Sequence, residues 1–413
     1  MPSPDGFPAR LAALSMLDAV LRRAQTLDSA SQGHKLPPAD LGLAIAIAGE
    51  TLRRLPDLDY LIDSATRQRL PDDSKARAVL RLALAQKIGL DTPDHAVVAT
   101  ALPLVDGGPR RLVHGVLGTL LRRGLPKNDE ASLPGDVEER WARAWGEDVV
   151  HAARRAILQR APLDLSFANE GVSHDFPDGI SLAPLHRRIA SADVSALPGY
   201  GDGGWWVQDL ASSLPARLIP SSATRVLDLC AAPGGKTMQL AAAGHEVTAL
   251  DRAKSRLARL KENLSRTKLT AAIVQADALE WQPDDLFDAV LVDAPCSSTG
   301  TFRRHPEILY RARPTIIAEG AAVQTALVDQ AAKFVRPGGS LVFATCSLEP
   351  AEGEEQVTSF LTRHPGYRIE PTDPGVAGLA PTREGWLRIV PGMLEESGGL
   401  DGFFTAHLVR GAE

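Results

Sequence analysis

The sequence predicts two fold classes in series, an all-helical bundle followed by an α/β domain with a mostly parallel sheet. In residues 10–125, apolar side chains recur at helical spacing. After residue 225, short apolar runs alternate with helical segments, which is the order typical of a parallel sheet covered by helices on both faces. The stretch Val226 to Leu240 combines a buried strand, a glycine-rich turn and a helix, so we expect the second domain to be organised around it.

The front end divides into several helices. The breaks that separate them are Pro37-Pro38, Pro71-Asp72-Asp73 and Gly107-Gly108-Pro109. Arginine pairs recur at the predicted helix ends, at residues 22–23, 53–54, 110–111 and 122–123. These cations either complement helix dipoles or contact RNA phosphates, and the local pattern leaves both interpretations open.

A change in composition marks the end of the bundle. Residues 125–148 turn to Pro, Asn, Asp, Glu and Gly, which indicates a linker that enters a short helix at Trp141 and Trp145. A further helix over 150–158 and a strand over 163–167 follow, in a segment that Pro and Gly residues interrupt. We therefore place domain boundaries near residues 127 and 200.

Strands and helices alternate through the rest of the chain. The predicted strands are 226–229, 247–250, 272–275, 289–292, 341–344, 387–390 and 403–409. The predicted helices are 210–218, 236–243, 254–265, 316–335 and 352–361.

Composition excludes several classes of protein. The chain of 413 residues has 44% hydrophobic and 23% charged residues, and it lacks an apolar run long enough to span a bilayer. The N-terminus has no signal-peptide core, so we expect a cytoplasmic protein with no membrane partner. Three widely spaced cysteines predict neither a disulfide framework nor a zinc site, and no metal is expected.

Charge is uneven along the chain. The net charge is −6, but residues 1–127 carry 17 lysines and arginines against 13 acidic residues. A mildly basic front end on an acidic body permits RNA binding, although a solvated helix face explains it equally well.

The glycine-rich turn predicts a nucleotide-like cofactor without a phosphate cradle, because its spacing matches neither G-x-G-x-x-G nor G-x-x-x-x-G-K-[ST]. Asp228 and Asp251 suit hydroxyls and an amine, and S-adenosylmethionine carries a ribose and a cationic group. The alternative is an ordinary βα turn with a capping Asp. The turn residues are Cys230, Ala231, Ala232, Pro233, Gly234, Gly235 and Lys236.

Two further strands carry a thiol to the same edge of the sheet. Asp293 and Cys296 follow one strand, and Cys346 follows another. Attaching a methyl group to C5 of a pyrimidine requires a thiolate to add at C6 first, and a second group must later help to expel it. Asp293 can meet N3 of the ring and stabilise charge there. The alternative is that each cysteine is a small buried hydrophobe, as we expect for the side chain of Cys230.

The motifs CAAPGGK (230–236), DAPCSSTG (293–300), RRHPEI (303–308), TCS (345–347), EGEE (352–355) and DGFF (401–404) resemble the Fmu/Sun family of RNA cytosine-C5 methyltransferases. The front end is similar to a NusB-like domain, and this pairing resembles the RsmB type, which acts on small-subunit ribosomal RNA. The resemblance implies a Rossmann-like S-adenosylmethionine-dependent domain over 201–413, a connecting subdomain over 128–200 and a NusB-like RNA-binding domain over 1–127.

The resemblance also implies roles for individual residues. Cys346 would be the nucleophile, and Cys296 would help to release the product. The turn 230–236 would line the S-adenosylmethionine pocket, with Asp251 on the ribose, Asp277 near the adenine and Asp293 close to both donor and base. Without the family, Asp277 is equally well explained as a helix N-cap.

Several alternatives stay open at this point. The basic run Arg303, Arg304 and His305, next to the Cys296 loop, is expected to contact RNA or to be a solvated face. The two thiols could exchange roles, because DNA methyltransferases of similar chemistry attack from the position of Cys296. The chain could instead be a non-catalytic RNA-binding or antitermination factor, a methyltransferase of another RNA such as tRNA, or a protein methyltransferase. A monomer is expected.

Overall fold

The computed structural model describes residues 6–171, 176, 178–190 and 192–412. By its internal contacts the chain divides into two compact units. One contains residues up to Gln159 together with the segment Phe302–Arg311, and the other contains Arg160–Thr301 and the chain from Ala312 onward. The division therefore falls at residue 159, whereas the sequence placed boundaries at 127 and 200. The functional roles given to those three ranges stay a prediction.

The first unit is the helical bundle that the sequence predicted. Its helices are α1 (Phe7–Arg23), α2 (Leu27–Ser31), α3 (Pro38–Arg53), α4 (Leu55–Ser64), α5 (Lys75–Gly89), α6 (Asp94–Ala101), α7 (Gly107–Arg123), α8 (Gly135–Trp145) and α9 (Glu147–Ala156). Local chemistry sets their ends: Ser74, for example, caps α5 by accepting a hydrogen bond from the N–H of Arg77 at 3.2 Å. Among the described residues, no helix combines the length and the apolar character that a membrane span needs.

Two hydrophobic cores hold this unit together. One joins α4, α5, α6 and α7, and the other joins α1, α2 and α3. Between them, α5 is buried on nearly all sides, including its guanidinium groups Arg77 and Arg81. Asp59 accepts hydrogen bonds from both, at 3.1 and 2.7 Å, which compensates the burial of their charge.

The second unit begins with a small antiparallel sheet. Its strands are β1 (Leu163–Phe167), β2 (His186–Ile189) and β3 (Trp205–Val207), in the order β2-β1-β3. The helix α10 (Leu210–Arg217) follows, capped by Asp209, which accepts from the N–H of Ala211 at 2.9 Å.

The larger sheet confirms the predicted Rossmann-like class. Its strands are β4 (Arg225–Leu229), β5 (Glu246–Asp251), β6 (Ala272–Gln275), β7 (Phe287–Asp293), β8 (Val335–Thr345), β9 (Tyr367–Ile369), β10 (Leu387–Ile389) and β11 (Phe403–Arg410). The helices between them are α11 (Gly235–Ala242), α12 (Lys254–Thr267), α14 (Pro314–Phe334) and α15 (Glu354–Arg363), and the short α13 (Ile308–Arg311) belongs to the first unit.

Strand order places the site. The order is β10-β11-β8-β7-β4-β5-β6, with β9 paired to β11, and β8, β7, β4, β5 and β6 are mutually parallel. The carboxyl ends of β4, β7 and β8 therefore meet at one edge, because parallel neighbours end on the same side. This edge receives the glycine-rich turn, which begins with Cys230, and the other two cysteines, Cys296 and Cys346.

Candidate active site

The turn after β4 has a backbone that favours small residues. Cys230 (φ 61°) and Gly234 (φ 104°) both adopt the left-handed conformation. A Cβ atom at Gly234 would lie 3.0 Å from Cγ of Leu260, so the turn packs against α12 without room for a side chain there. No side chain among the described residues caps α11, so its first backbone N–H groups can face a ligand.

Lys236 and Asp293 form an ion pair at the rim. The Nζ of Lys236 lies 2.7 Å from Oδ2 of Asp293, and the side chains are 10% and 33% exposed. The same ammonium lies 5.4 Å from the centre of the Phe403 ring. The pair joins the start of α11 to the end of β7, so a turn residue and a strand-end residue act as one polar group.

Asp228 lies buried beneath the turn. Its Oδ2 accepts a hydrogen bond from the hydroxyl of Thr237 at 2.6 Å, while Oδ1 has no partner among the described residues. Burial raises the pKa of Asp228 to about 7, and the nearby Asp293 adds to the shift. An acceptor without a partner at this place points to a missing donor group.

Asp251 and Asp277 lie at the next two strand ends. Asp251 is 3% exposed, and its carboxylate accepts from the N–H groups of Ala253 at 2.9 Å and Ala232 at 3.3 Å. Asp277 is exposed and accepts from the N–H of Leu279 at 2.9 Å. The residues after Asp277 form a turn and no helix, so the alternative interpretation of Asp277 as a helix N-cap is wrong. Its exposed carboxylate suits the cofactor interpretation, which stays a prediction.

Cys296 and Cys346 lie side by side. Cys346 directly follows β8, Cys296 follows β7, and their Sγ atoms are 3.5 Å apart as free thiols. The hydrogen bond between the two thiols lowers the pKa of Cys346; Ser298 and Lys236 lower it further, against burial and Asp293, which raise it. The same bond, together with burial, raises the pKa of Cys296. The pair therefore has one sulfur that ionises more readily and one that keeps its proton.

Cys230 does not join the pair. It packs against the sheet core, and burial raises the pKa of its thiol to about 12, with Asp293 and Asp251 as further causes. Its side chain is therefore an inert packing group, as the sequence predicted, while its backbone shapes the turn.

The predicted RNA-contacting run lies in the segment that belongs to the helical unit. Arg303 is only 4% exposed, whereas Arg304 and His305 are partly exposed. Nδ1 of His305 lies 3.8 Å from the buried Glu307. Among the described residues, no cluster of three or more His, Cys, Asp or Glu side chains could hold a metal ion.

The structure places one further residue at this site that the sequence did not single out, Glu352. The EGEE motif contributed only to the family resemblance, but the structure buries Glu352 completely and bonds it to both loops that carry the thiols. The signal available in the sequence was the position of this acidic residue, six residues after Cys346. Its burial is visible only in the structure, and charged residues are almost never fully buried unless they are paired.

A Rossmann-like sheet with this turn, preceded by a NusB-like bundle, defines the class of a methyltransferase with an appended helical domain. The sequence profile of the family described as 16S rRNA methyltransferase RsmB/F matches residues 215–409, and that of the NusB family matches residues 8–122. The chain belongs to the RsmB/F family of 16S rRNA methyltransferases.

Individual relatives match this chain over nearly its full length. Ribosomal RNA small subunit methyltransferase B from Klebsiella pneumoniae (strain 342) is 30% identical, covering 97% of this chain and 98% of the relative. Its counterpart from Serratia proteamaculans (strain 568) is 32% identical, covering 98% and 99%. The solved structure of the protein PH0851 is 24% identical with a TM-score of 0.75 and covers 99% of both chains, which shows the same fold.

The methyl donor of this chain is S-adenosylmethionine, and the turn fits it. The helix N-terminus and the unpaired Asp228 oxygen offer complementary groups to a cofactor that carries hydroxyls and cationic centres. The residues suited to hold it are those of the turn 230–236 with Asp251, Asp277 and Asp293.

Proposed function

We propose that this chain methylates C5 of a cytosine in small-subunit ribosomal RNA through a transient bond between Cys346 and C6 of the base. The observation that carries the proposal is the pair of thiols 3.5 Å apart at the cofactor edge of the sheet. The relatives are ribosomal RNA small subunit methyltransferases, which supports this RNA as the substrate.

The chemistry explains why two thiols are useful. C5 of cytosine is a poor nucleophile until a thiolate adds to C6 and pushes electron density onto C5. When bound, S-adenosylmethionine supplies an electrophilic methyl group. The lowered pKa of Cys346 favours the thiolate that this addition needs, because only the ionised sulfur attacks.

Cys296 has the complementary task in this proposal. Once Cys346 is bonded to C6 it is no longer an anion, so its charge no longer opposes ionisation of Cys296. Cys296 then gives its proton to solvent, and its thiolate takes the proton from C5. The electrons of the C5–H bond form the C5–C6 double bond, and the bond from Cys346 to C6 breaks. Cys346 leaves as a thiolate and Cys296 is again a thiol, so the pair returns to its resting state.

The acids and cations orient the reactants in this proposal. Asp293, which pairs with Lys236 at 2.7 Å, would meet N3 of the ring, and Asp251 and Asp277 would meet the ribose and adenine of the donor. Arg304 and His305 are the partly exposed candidates for RNA contact, and Arg303 would have to be uncovered first. The base must be unpaired or flipped, because a stacked pair shields C6. A monomeric cytoplasmic enzyme without a metal stays a prediction.

The test uses ribosomal RNA from cells that lack the modification, with radiolabelled S-adenosylmethionine. The wild-type protein is expected to transfer label into 5-methylcytosine, Cys346→Ala to transfer none, and Cys296→Ala to accumulate RNA joined covalently to protein. RNA that already carries the modification is the matched control and should take up no label. Covalent RNA on Cys346→Ala instead would assign the attacking role to Cys296.

A further inference from the structure

Glu352 is completely buried between the loops that carry the two thiols. Its Oε1 accepts from the N–H of Ser297 at 2.9 Å, and its Oε2 accepts from the hydroxyl of Ser347 at 2.6 Å. The hydroxyl of Ser297 also donates to Oε2. Because Ser297 follows Cys296 and Ser347 follows Cys346, this one carboxylate joins the two loops next to their sulfur atoms.

The helix α14 completes the pocket for this carboxylate. Gln324 donates its amide to Oε1 of Glu352 at 3.2 Å and to the carbonyl of Pro295 at 2.9 Å. A Cβ atom at Gly320 would lie 2.7 Å from Oε1, so the helix leaves the space of a side chain for the carboxylate. The two carboxylate oxygens thus accept four hydrogen bonds, which compensate the burial of the negative charge.

We propose that Glu352 is a positioning residue that ties the two loops together and keeps the negative charge of the thiol pair on Cys346. The inference rests on the proposed function for its use in catalysis, but its physical content concerns only which sulfur ionises. Glu352 accepts two hydrogen bonds from Ser297, next to Cys296, and one from Ser347, next to Cys346, so its charge is held most closely to the Cys296 loop. A buried anion there disfavours a thiolate on Cys296, because like charges in a low-dielectric site repel strongly.

The charges that face the thiols agree with this assignment. On Cys296, the carboxylate of Glu352 acts in the same direction as the hydrogen bond to Cys346 and burial, and all three raise its pKa. On Cys346, Lys236 and Ser298 act against burial and Asp293. Glu352 thus favours the protonated form of Cys296, and Lys236 favours the thiolate of Cys346. A second cation, Arg388 of β10, donates to the carbonyl of Ser347 and so faces the loop of Cys346.

The decisive variant is Glu352→Gln. An amide has the same shape, and its oxygen can still accept from Ser297 and Gln324 while its NH₂ donates to the two serine hydroxyls, which can turn to accept. The variant therefore removes the charge while keeping the connection between the loops. Glu355→Gln is the matched control, because Glu355 is exposed on α15 and the substitution removes the same charge.

The experiment measures thiol ionisation directly, without RNA or methyl donor. The full-length protein is treated briefly with iodoacetamide between pH 6 and pH 10, and mass spectrometry resolves the rate at each cysteine. In the wild-type and Glu355→Gln proteins, Cys346 is expected to react at lower pH than Cys296. In Glu352→Gln, Cys296 should react about tenfold faster near pH 8, because one pKa unit changes the thiolate fraction about tenfold.

A second variant covers the case in which Glu352→Gln does not fold. Gly320→Ala crowds the carboxylate without changing either serine, and it should raise the Cys296 rate in the same direction by a smaller factor. Unchanged Cys296 rates in whichever of these variants folds would overturn the inference. The thiol rates are measured without methyl transfer. A protein that shows the expected thiol rates but transfers no label to RNA would therefore refute the proposed function and leave this inference intact.

Discussion

At the scale of single residues, the ion pair between Lys236 and Asp293 carries much of the polarity of the cofactor edge. The charged atoms of the two side chains are 2.7 Å apart, and the side chains are mostly buried. Water therefore cannot easily replace either partner of the pair. The pair occupies the position at which the turn, the donor and the base are proposed to meet.

We expect Lys236→Met to weaken binding of S-adenosylhomocysteine about tenfold or more, because the variant leaves Asp293 as an uncompensated, half-buried carboxylate. Isothermal titration calorimetry gives the dissociation constant. Lys261→Met, which removes an exposed lysine from α12, is the matched control and should bind as the wild type does. Equal affinity in all three proteins would show that the pair is not part of the donor pocket.

Asp228 gives a prediction about pH. The side chain ionises near pH 3.8 when unfolded and at about 7 in the folded protein, so the folded state binds more protons between these values. The contribution of Asp228 to the stability of the wild type should therefore fall as pH rises through this window, by up to about 1.4 kcal/mol per pH unit. Asp228→Asn cannot ionise and can still accept from Thr237, so its stability relative to wild type should increase from pH 4 to pH 7.

Urea unfolding midpoints across this range measure the difference, because other titrating groups are common to both proteins and cancel. Asp285→Asn is the control, since Asp285 is 75% exposed and should give a constant difference. A difference between Asp228→Asn and wild type that does not change with pH would contradict the assignment of a raised pKa.

The sequence predicted the approach of Cys296 and Cys346, but not its detail. Both follow strands of a parallel sheet, and parallel neighbours deliver their ends to one edge. Glu352 follows Cys346 by six residues and also accepts from the N–H of Ser297, which lies next to Cys296 in the other loop. A hydrogen bond across 55 residues leaves no periodic signal in the sequence.

At the scale of elements, the start of α11 depends on a glycine in the left-handed conformation. Gly234→Ala should lower stability by about 1–3 kcal/mol, from backbone strain and the contact with Leu260. Gly244→Ala is the matched comparison, because Gly244 has a similar φ of +95° and nothing within 4 Å of its added Cβ. Thermal unfolding should show a larger loss for Gly234→Ala, and equal losses would mean that packing against α12 adds nothing.

Elements with a strong apolar pattern were predicted closely, and those that bury charge were missed. Strand β6 has the predicted bounds, 272–275, whereas β2, whose residues are His-Arg-Arg-Ile, was not predicted. The structure buries Arg188 of β2 against Asp164, with two hydrogen bonds of 2.7 Å. A buried ion pair makes a core strand look like a polar loop, because local sequence does not reveal the partner.

At the scale of the whole molecule, the chain leaves the sheet unit at Phe302 and returns to it at Ala312. In between, Tyr310 donates its hydroxyl to the carbonyl of Leu52 at 2.8 Å, and Glu307 accepts from the N–H of Leu27 at 3.1 Å. The Phe302 ring meets that of Trp141 edge-on at 5.3 Å. Ten residues from the middle of the catalytic half thus complete the core of the helical unit.

Removing the Tyr310 hydroxyl tests this insertion. Tyr310→Phe leaves the Leu52 carbonyl without its donor, which should cost about 1 kcal/mol and speed amide exchange in α3 about fivefold. Hydrogen exchange followed by mass spectrometry reports on that helix separately from the sheet. Tyr60→Phe is the control, because Tyr60 is 75% exposed, and it should leave α3 unchanged.

This placement could not be predicted from the sequence, which showed only a basic run beside the Cys296 loop. The run contains Arg303, whose burial local composition does not reveal. Tertiary context decides such positions, since a long cationic side chain suits solvent, a phosphate or a buried partner equally well.

Because residues 302–311 belong to the helical unit, that unit is made of two separate stretches of the sequence. An exchange of this unit between two relatives therefore needs two grafts, one ending at residue 159 and another replacing the ten-residue piece. A hybrid made by a single crossover would pair helices from one parent with an insert from the other. A change of Trp141 must be matched at Phe302, and a change in the core of α1–α3 must be matched at Tyr310, so these two distant stretches of the gene are constrained to evolve together.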